Sequence, residues 1–210
     1  MSHDWMPLLS LFLQSLLIGL SIAAPVGPIG LLTIQRTLQL GSAAGLATGL
    51  GAAMADAVYG AIGAYGVSAM IQMLTAARTP LALAGGVFLL WMAWSIWRAP
   101  VAARAAQAGG GNDLLRCFAG TFVLTLSNPA TILSFIAVFG VMAGRAAVAL
   151  PSVMVAGVLL GSALWWLLLS TVVGRLRERF DLRWRRRVNV LSALVLAGFA
   201  LWQFAALLAA

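Results

Sequence analysis

Two prolines flanking a glycine interrupt the first long apolar run of this chain. The run extends from about Leu8 to Leu38, and Pro25-Val26-Gly27-Pro28 stands in its middle. A proline inside a helix removes a backbone donor and collides with the preceding turn. A second interruption, Asn128-Pro129, lies in the middle of the run from about Leu114 to Ala143. In lipid the carbonyls freed by such breaks need partners, so a broken helix persists only where protein buries it or it lines a wet cavity. Two breaks at corresponding places in the halves of a membrane chain point to a transporter's binding site.

The composition requires lipid as the solvent. Of the 210 residues, 62% are hydrophobic and 9% charged, which places the chain in the membrane class. One helical span needs about 20 apolar residues. Six spans are read: 8–38 and 114–143 with their breaks, then 43–74, 80–97, 150–174 and 188–208. The short connectors leave no room for a soluble domain, so residues 1–210 read as a single domain. Ala23-Ala24 resembles a signal-peptide cleavage site, but the leader Met1-Ser2-His3-Asp4 lacks arginine and the apolar run continues past Pro28. The first span therefore reads as retained.

The net charge of +8 does not imply nucleic acid, because the arginines gather at the ends of apolar runs. Arg36 is read as following span one. Arg98, Arg104 and Arg116 follow span three, and Arg175, Arg177, Arg179, Arg183, Arg185, Arg186 and Arg187 follow span five. The opposite side holds Arg78 and Arg145. The positive-inside rule then makes these odd loops cytoplasmic and sets both termini outside. The segment from Arg175 to Arg187 suits anionic lipid headgroups, and Trp91, Trp94 and Trp97 suit an interfacial aromatic belt.

The spans divide three plus three. In each half the first span is broken and the second carries glycines four apart: Gly45 and Gly49, then Gly157 and Gly161. The halves, about 8–97 and 114–208, would cross the membrane in opposite senses around a linker at 98–113. The expected fold is therefore an all-α polytopic membrane protein with six transmembrane helices in an inverted 3+3 repeat. The small-residue faces suit either packing within the bundle or a contact between two copies, which leaves a homodimer open.

Asp56 is the acid that falls well inside a span; Asp4, Asp113, Glu178 and Asp181 lie in loops or tails. A carboxylate at mid-membrane costs ~3 kcal/mol or more, and such residues face a polar interior and act there. The competing reading pairs Asp56 with Tyr59 or Tyr65 as glue between helices. Gly49, Ala52, Ala53, Gly60 and Gly63 surround Asp56 on a small-residue face, so the carboxylate is expected to point into the bundle. It lies about fifteen residues, roughly 22 Å, from the cytoplasmic loop, near the depth of both breaks.

These features suggest one site. A half-helix beginning after Pro28 presents a positive end to a carboxylate, and a second begins after Pro129 with Asn128 as a cap. Asp56 would take an ammonium group or a proton. Together they describe a receptor for a zwitterion, of which an amino acid is the simplest. Thr33, Gln35, Thr121, Thr125, Ser127 and Thr131 are lesser polar candidates. Trp165 and Trp166 lie near mid-span, and one of them, taken here as Trp165, is a candidate cavity wall. No metal or other cofactor is expected: the single histidine, His3, is in the leader, and the single cysteine, Cys117, can form neither an internal disulfide nor a thiol relay.

The set Pro25-Val26-Gly27-Pro28, Gly41, Gly45, Gly49, Asp56 and Asn128-Pro129 resembles the lysine exporter (LysE) family of bacterial amino-acid efflux proteins. The resemblance covers nearly the whole chain. It implies export of amino acids or related compounds across the bacterial inner membrane, driven by protons. It also carries over Pro25, Gly27, Pro28, Asp56, Asn128 and Pro129 as site residues. Some basic-amino-acid exporters of the family continue the first break with Gln-Asn, whereas this chain has Ile29-Gly30, which disfavours lysine or arginine as substrate. The alternatives are cation or metal-ion efflux on the same scaffold and a non-transporting membrane assembly subunit. No nucleophile–base pair supports an enzyme.

Overall fold

The computed structural model describes residues 5–25, 27–65, 78–98, 111–128, 131, 132, 134, 135, 150–177 and 182–208. Among them are seven helices: α1 (Trp5–Ala23), α2 (Pro28–Leu40), α3 (Ser42–Ala64), α4 (Arg78–Arg98), α5 (Gly111–Leu126), α6 (Pro151–Leu176) and α7 (Leu182–Leu208). No strand occurs among the described residues. Met6–Ala23, Ser42–Ala64 and Pro151–Leu176 are long and apolar enough to cross a membrane, and Ala82–Arg98 is a shorter apolar helix.

The first interruption is real and has a local cause. Helix α1 ends at Ala23, and α2 starts at Pro28 itself, with Gly27 as its extended N-cap. Proline at the first helical position loses an N–H that would be unpaired anyway, and its ring pre-sets the helical φ. The Leu31 N–H then donates to the Gly27 carbonyl at 3.1 Å. The second interruption begins the same way: α5 stops at Leu126, and the Ile132 N–H donates to the Asn128 carbonyl at 3.1 Å.

Between α2 and α3 stands Gly41 at φ +99°, a conformation that costs glycine least. It lets the chain fold back within one residue, so that Gly45 meets Thr37 and Arg36 reaches Thr48. The helices then pack as a connected set. Helix α1 lies on α6, α3 lies between α5 and α6, α4 lies on α7, and α2 touches α3, α6 and α7. Glycines permit helix backbones to approach closely. Gly51 of α3 sits against the Phe118 carbonyl of α5, and Gly161 of α6 sits against the Leu16 carbonyl of α1. Such contacts suit helices in lipid, where close backbone packing replaces a hydrophobic drive. Outward faces carry exposed Leu13, Leu17, Val87, Leu164, Leu168, Leu194 and Leu201.

Several boundaries differ from the sequence reading. Arg36 does not lie in a loop: α2 continues to Leu40 and holds it one turn inside, part-buried. Polar Gln35, Arg36 and Thr37 end the apolar run without ending the helix, because each finds a hydrogen-bond partner there. Helix α5 starts at Gly111, within the stretch read as linker. Helix α7 starts at Leu182, ahead of its apolar run, because arginine is a good helix former. Trp91, Trp94 and Trp97 are exposed along α4, with the Arg98 guanidinium 4.1 Å from the Trp94 ring. His3, Asp4, Val26, Arg104, Pro129, Arg145, Glu178, Arg179, Asp181 and linker residues 99–110 lie outside the described residues.

Candidate functional site

A cavity of about 200 Å³ occupies the meeting point of the two interruptions. The first break contributes Pro25, Gly27, Pro28, Ile29 and Gly30 to its wall. Helix α3 contributes Ala52 and Asp56, and Thr125, Asn128, Thr131 and Ser134 come from the second break. Trp166 of α6 and Phe199 of α7 complete the lining of this half-open cavity with Ile22 and Ala23 of α1. Of the residues singled out in the sequence, Pro25, Gly27, Pro28, Asp56, Asn128 and Thr131 are thus brought together.

Asp56 is 3% exposed and points inward, as its small-residue neighbours imply. Its partner is neither tyrosine. The Ser162 hydroxyl donates to Asp56 Oδ2 at 2.7 Å, and Trp166 Nε1 donates to Ser162 Oγ at 3.1 Å. Ser162 therefore uses both its donor and an acceptor lone pair, which fixes the carboxylate against α6. A hydrogen bond to an ionised group contributes roughly 1.5–3 kcal/mol, comparable with the ~3 kcal/mol that a mid-membrane carboxylate costs on insertion scales. The Oδ1 atom has no hydrogen-bond partner among the described residues.

Tyr59 does something else. Its hydroxyl donates to the Leu126 carbonyl at 2.6 Å, and its ring stacks on Phe135 with centroids 5.5 Å apart. It therefore ties α3 to the last carbonyl of α5 and to a ring beyond the break. Tyr65 is exposed. Gly49 does not line the cavity but gives Trp166 its seat, since any Cβ there would overlap the indole. Trp165 does not line it either; Trp166 does. The inward face of α6 runs through Val158, Ser162, Trp166 and Ser170, all buried at spacings of four. Two serines flanking Trp166 at that spacing were the available signal. The start of α2 has no side-chain cap, and Ile29 and Gly30 in its first turn border the cavity.

The model of the LysE type translocator family matches residues 20–206, which include every element of this site. The chain belongs to the LysE-type translocator family. Curated relatives agree with that membership. The "Chemotactic transduction protein ChpE" of Pseudomonas aeruginosa is 29% identical over 92% of this chain and 97% of its own. The "Putative amino acid efflux protein YcgF" of Bacillus subtilis is 30% identical over 75% of this chain and 77% of its own. The "Uncharacterized membrane protein YahN" of Escherichia coli is 31% identical over 65% of this chain, a match that spans 63% of that protein's length. No solved structure matches this LysE-type chain significantly.

Sequence reasoning missed Ser162, Phe199 and the true setting of Arg36. The Arg36 guanidinium is held by Thr48, Thr121 and the Cys117 carbonyl, contributed by helices twelve and more residues away along the chain.

Proposed function

We propose that this translocator exports amino acids or related small zwitterions from the cytoplasm in exchange for protons. The observation that carries the reading is the juxtaposition of Asp56 with the uncapped start of α2 across one small cavity. The N–H groups in the first turn of a helix attract an anion, and a carboxylate nearby attracts a cation. The cavity falls below the roughly 300 Å³ at which drug-sized pockets begin, which suits a metabolite of few atoms. Substrate carboxylate rests against the Ile29–Gly30 backbone, and the ammonium rests against Asp56. After release outside, Asp56 takes up a proton and gives it up inside, which resets the carrier.

The architecture proposed for this cycle is the inverted 3+3 repeat, with α1–α2 corresponding to α5 and the segment after Asn128, α3 to α6, and α4 to α7. The exchanged partners support it: α1 lies on α6 while α5 lies on α3, and each contact is made at a glycine against a carbonyl. Arginines at the end of α4, the end of α6 and the start of α7 support the odd-loops-inside orientation in the inner membrane, both termini outside, and that support does not need Arg36.

The test is release of labelled amino acids from preloaded proteoliposomes under an inward proton gradient. Wild-type protein should release at least one amino acid faster with the gradient than without it. If none is released in either condition, the export reading is lost. Gly27 offers a second check. Its backbone is extended, as any residue allows, and an added Cβ meets no atom within 4 Å. Gly27→Ala should therefore transport within about twofold of wild type. Gly27→Trp should still reach the membrane but transport at a small fraction of that rate, because its indole fills the cavity.

A further inference from the structure

Arg36 is a cation in the membrane-embedded bundle that the cycle above does not use. Its Nη1 donates to Thr48 Oγ1 at 3.1 Å, to the Cys117 carbonyl at 3.0 Å and to Thr121 Oγ1 at 3.1 Å. All three acceptors are neutral. Among the described residues the other ionisable acids are Asp56, which is bonded to Ser162, and Asp113, which is exposed at the start of α5. Neither bonds Arg36. A guanidinium part-buried in the bundle without a counter-charge among the described residues is costly, and glutamine would satisfy the same hydroxyls without a charge. A cation kept in such a place suits an anion that comes and goes.

The helix faces join this cation to the cavity. On α3, Thr48, Ala52 and Asp56 follow at spacings of four; on α5, Cys117, Thr121 and Thr125 do the same. The lower members hold Arg36, while Ala52, Asp56 and Thr125 line the cavity. Eight helical residues rise about 12 Å, so Arg36 lies roughly two turns from Asp56 along a strip of small and hydroxyl-bearing side chains. In the proposed orientation that direction is cytoplasmic.

We propose that Arg36 is a second substrate station, where the carboxylate of the outgoing zwitterion binds before it reaches the cavity, and that it makes the carrier select acids over their amides. This rests on the export reading. The separation exceeds what one small amino acid spans, so the two stations act in sequence. Thr48, Thr121 and the Cys117 carbonyl hold the guanidinium between turnovers. A carboxylate then displaces them and accepts two parallel N–H bonds, the geometry that guanidinium favours over ammonium.

The test uses full-length protein in proteoliposomes and the amino acid that wild-type protein carries. Unlabelled acid and its amide then compete for that transport. Wild type should prefer the acid by about tenfold or more, the scale of a charge-assisted hydrogen bond. In Arg36→Gln the preference should fall at least about threefold, to what the helix end at Ile29–Gly30 supplies by itself, with KM raised and the maximal rate within about twofold; Arg36→Lys should keep more of the preference. A helix-packing role would weaken acid and amide alike. Transport by Arg36→Gln with the wild-type acid-to-amide ratio would overturn the proposal while leaving export standing; no transport by wild type would remove export itself. A second measurement needs no variant. Cys117 is the single cysteine and is buried beside Arg36, so its alkylation by N-ethylmaleimide reports on this junction. The acid should change that rate by about threefold or more and the amide should not; equal effects of acid and amide would also overturn the proposal.

Discussion

Vesicles carrying Asp56→Asn should keep their amino acid while wild-type vesicles empty. The exchange alters one atom at a site that is 3% exposed. The asparagine side-chain oxygen can still accept from Ser162, and the Trp166–Ser162 bond is untouched. Folding and membrane insertion should therefore survive, since removing the charge also removes its ~3 kcal/mol insertion cost. What disappears is the negative group that meets the ammonium and exchanges the proton. Truncating one partner of a desolvated charge pair costs about 2–5 kcal/mol, a factor of roughly thirty to several thousand in affinity. Export should drop below detection, with the amount of protein in the membrane equal to wild type. Normal export by Asp56→Asn with an unchanged response to the proton gradient would leave Asp56 as glue between α3 and α6.

The largest effect on stability is expected at Gly161. A Cβ there overlaps the Leu16 carbonyl, and the Leu16 carbon and Leu20 nitrogen lie within 3.0 Å. Backbone cannot yield as a flexible side chain does, so Gly161→Leu must push α1 off α6. Among the described residues, α1 packs mainly on α6, with a slight contact to α3. Overpacking costs about 1–3 kcal/mol and occasionally more, and a clash with rigid backbone belongs at the upper end. The displacement reaches the site as well, because Ile22, Ala23 and Pro25 at the end of α1 form part of the cavity wall. Detergent-purified Gly161→Leu should melt well below wild type or fail to elute as a single species. Gly198 supplies the control: it is exposed on α7, and an added Cβ meets nothing within 4 Å. Gly198→Leu should change stability by about 0.5 kcal/mol or less.

Both interruptions and the inward aim of Asp56 were legible in the sequence because each has a local cause. Proline ends a helix by its own covalent geometry, and a ring of glycine and alanine marks the face of α3 that other helices approach. Arg36 was misread for the opposite reason. It stands where hydropathy falls, so it looked like the edge of the lipid; the acceptors that let α2 continue past it come from Thr48, Cys117 and Thr121, and no local pattern announces them. Trp166 and Trp165 differ by one step of helical phase, about 100° of rotation, and choosing between them needed the serines at 162 and 170. Phe199 was not legible, since its place at the cavity follows from how α7 crosses α2 and α4.

Thr131 provides a direct probe of whether substrate occupies the cavity between the two breaks. It lines the cavity and is not fully buried. In a Cys117→Ser background, Thr131→Cys places a lone thiol on the cavity wall. The rate at which a small maleimide alkylates it is measured with and without the amino acid that wild-type vesicles release. Saturating substrate should slow alkylation at least about tenfold, as expected for a site occupied at ten or more times its Kd. An unchanged alkylation rate in a variant that still transports would put the substrate elsewhere and contradict the assignment of this cavity.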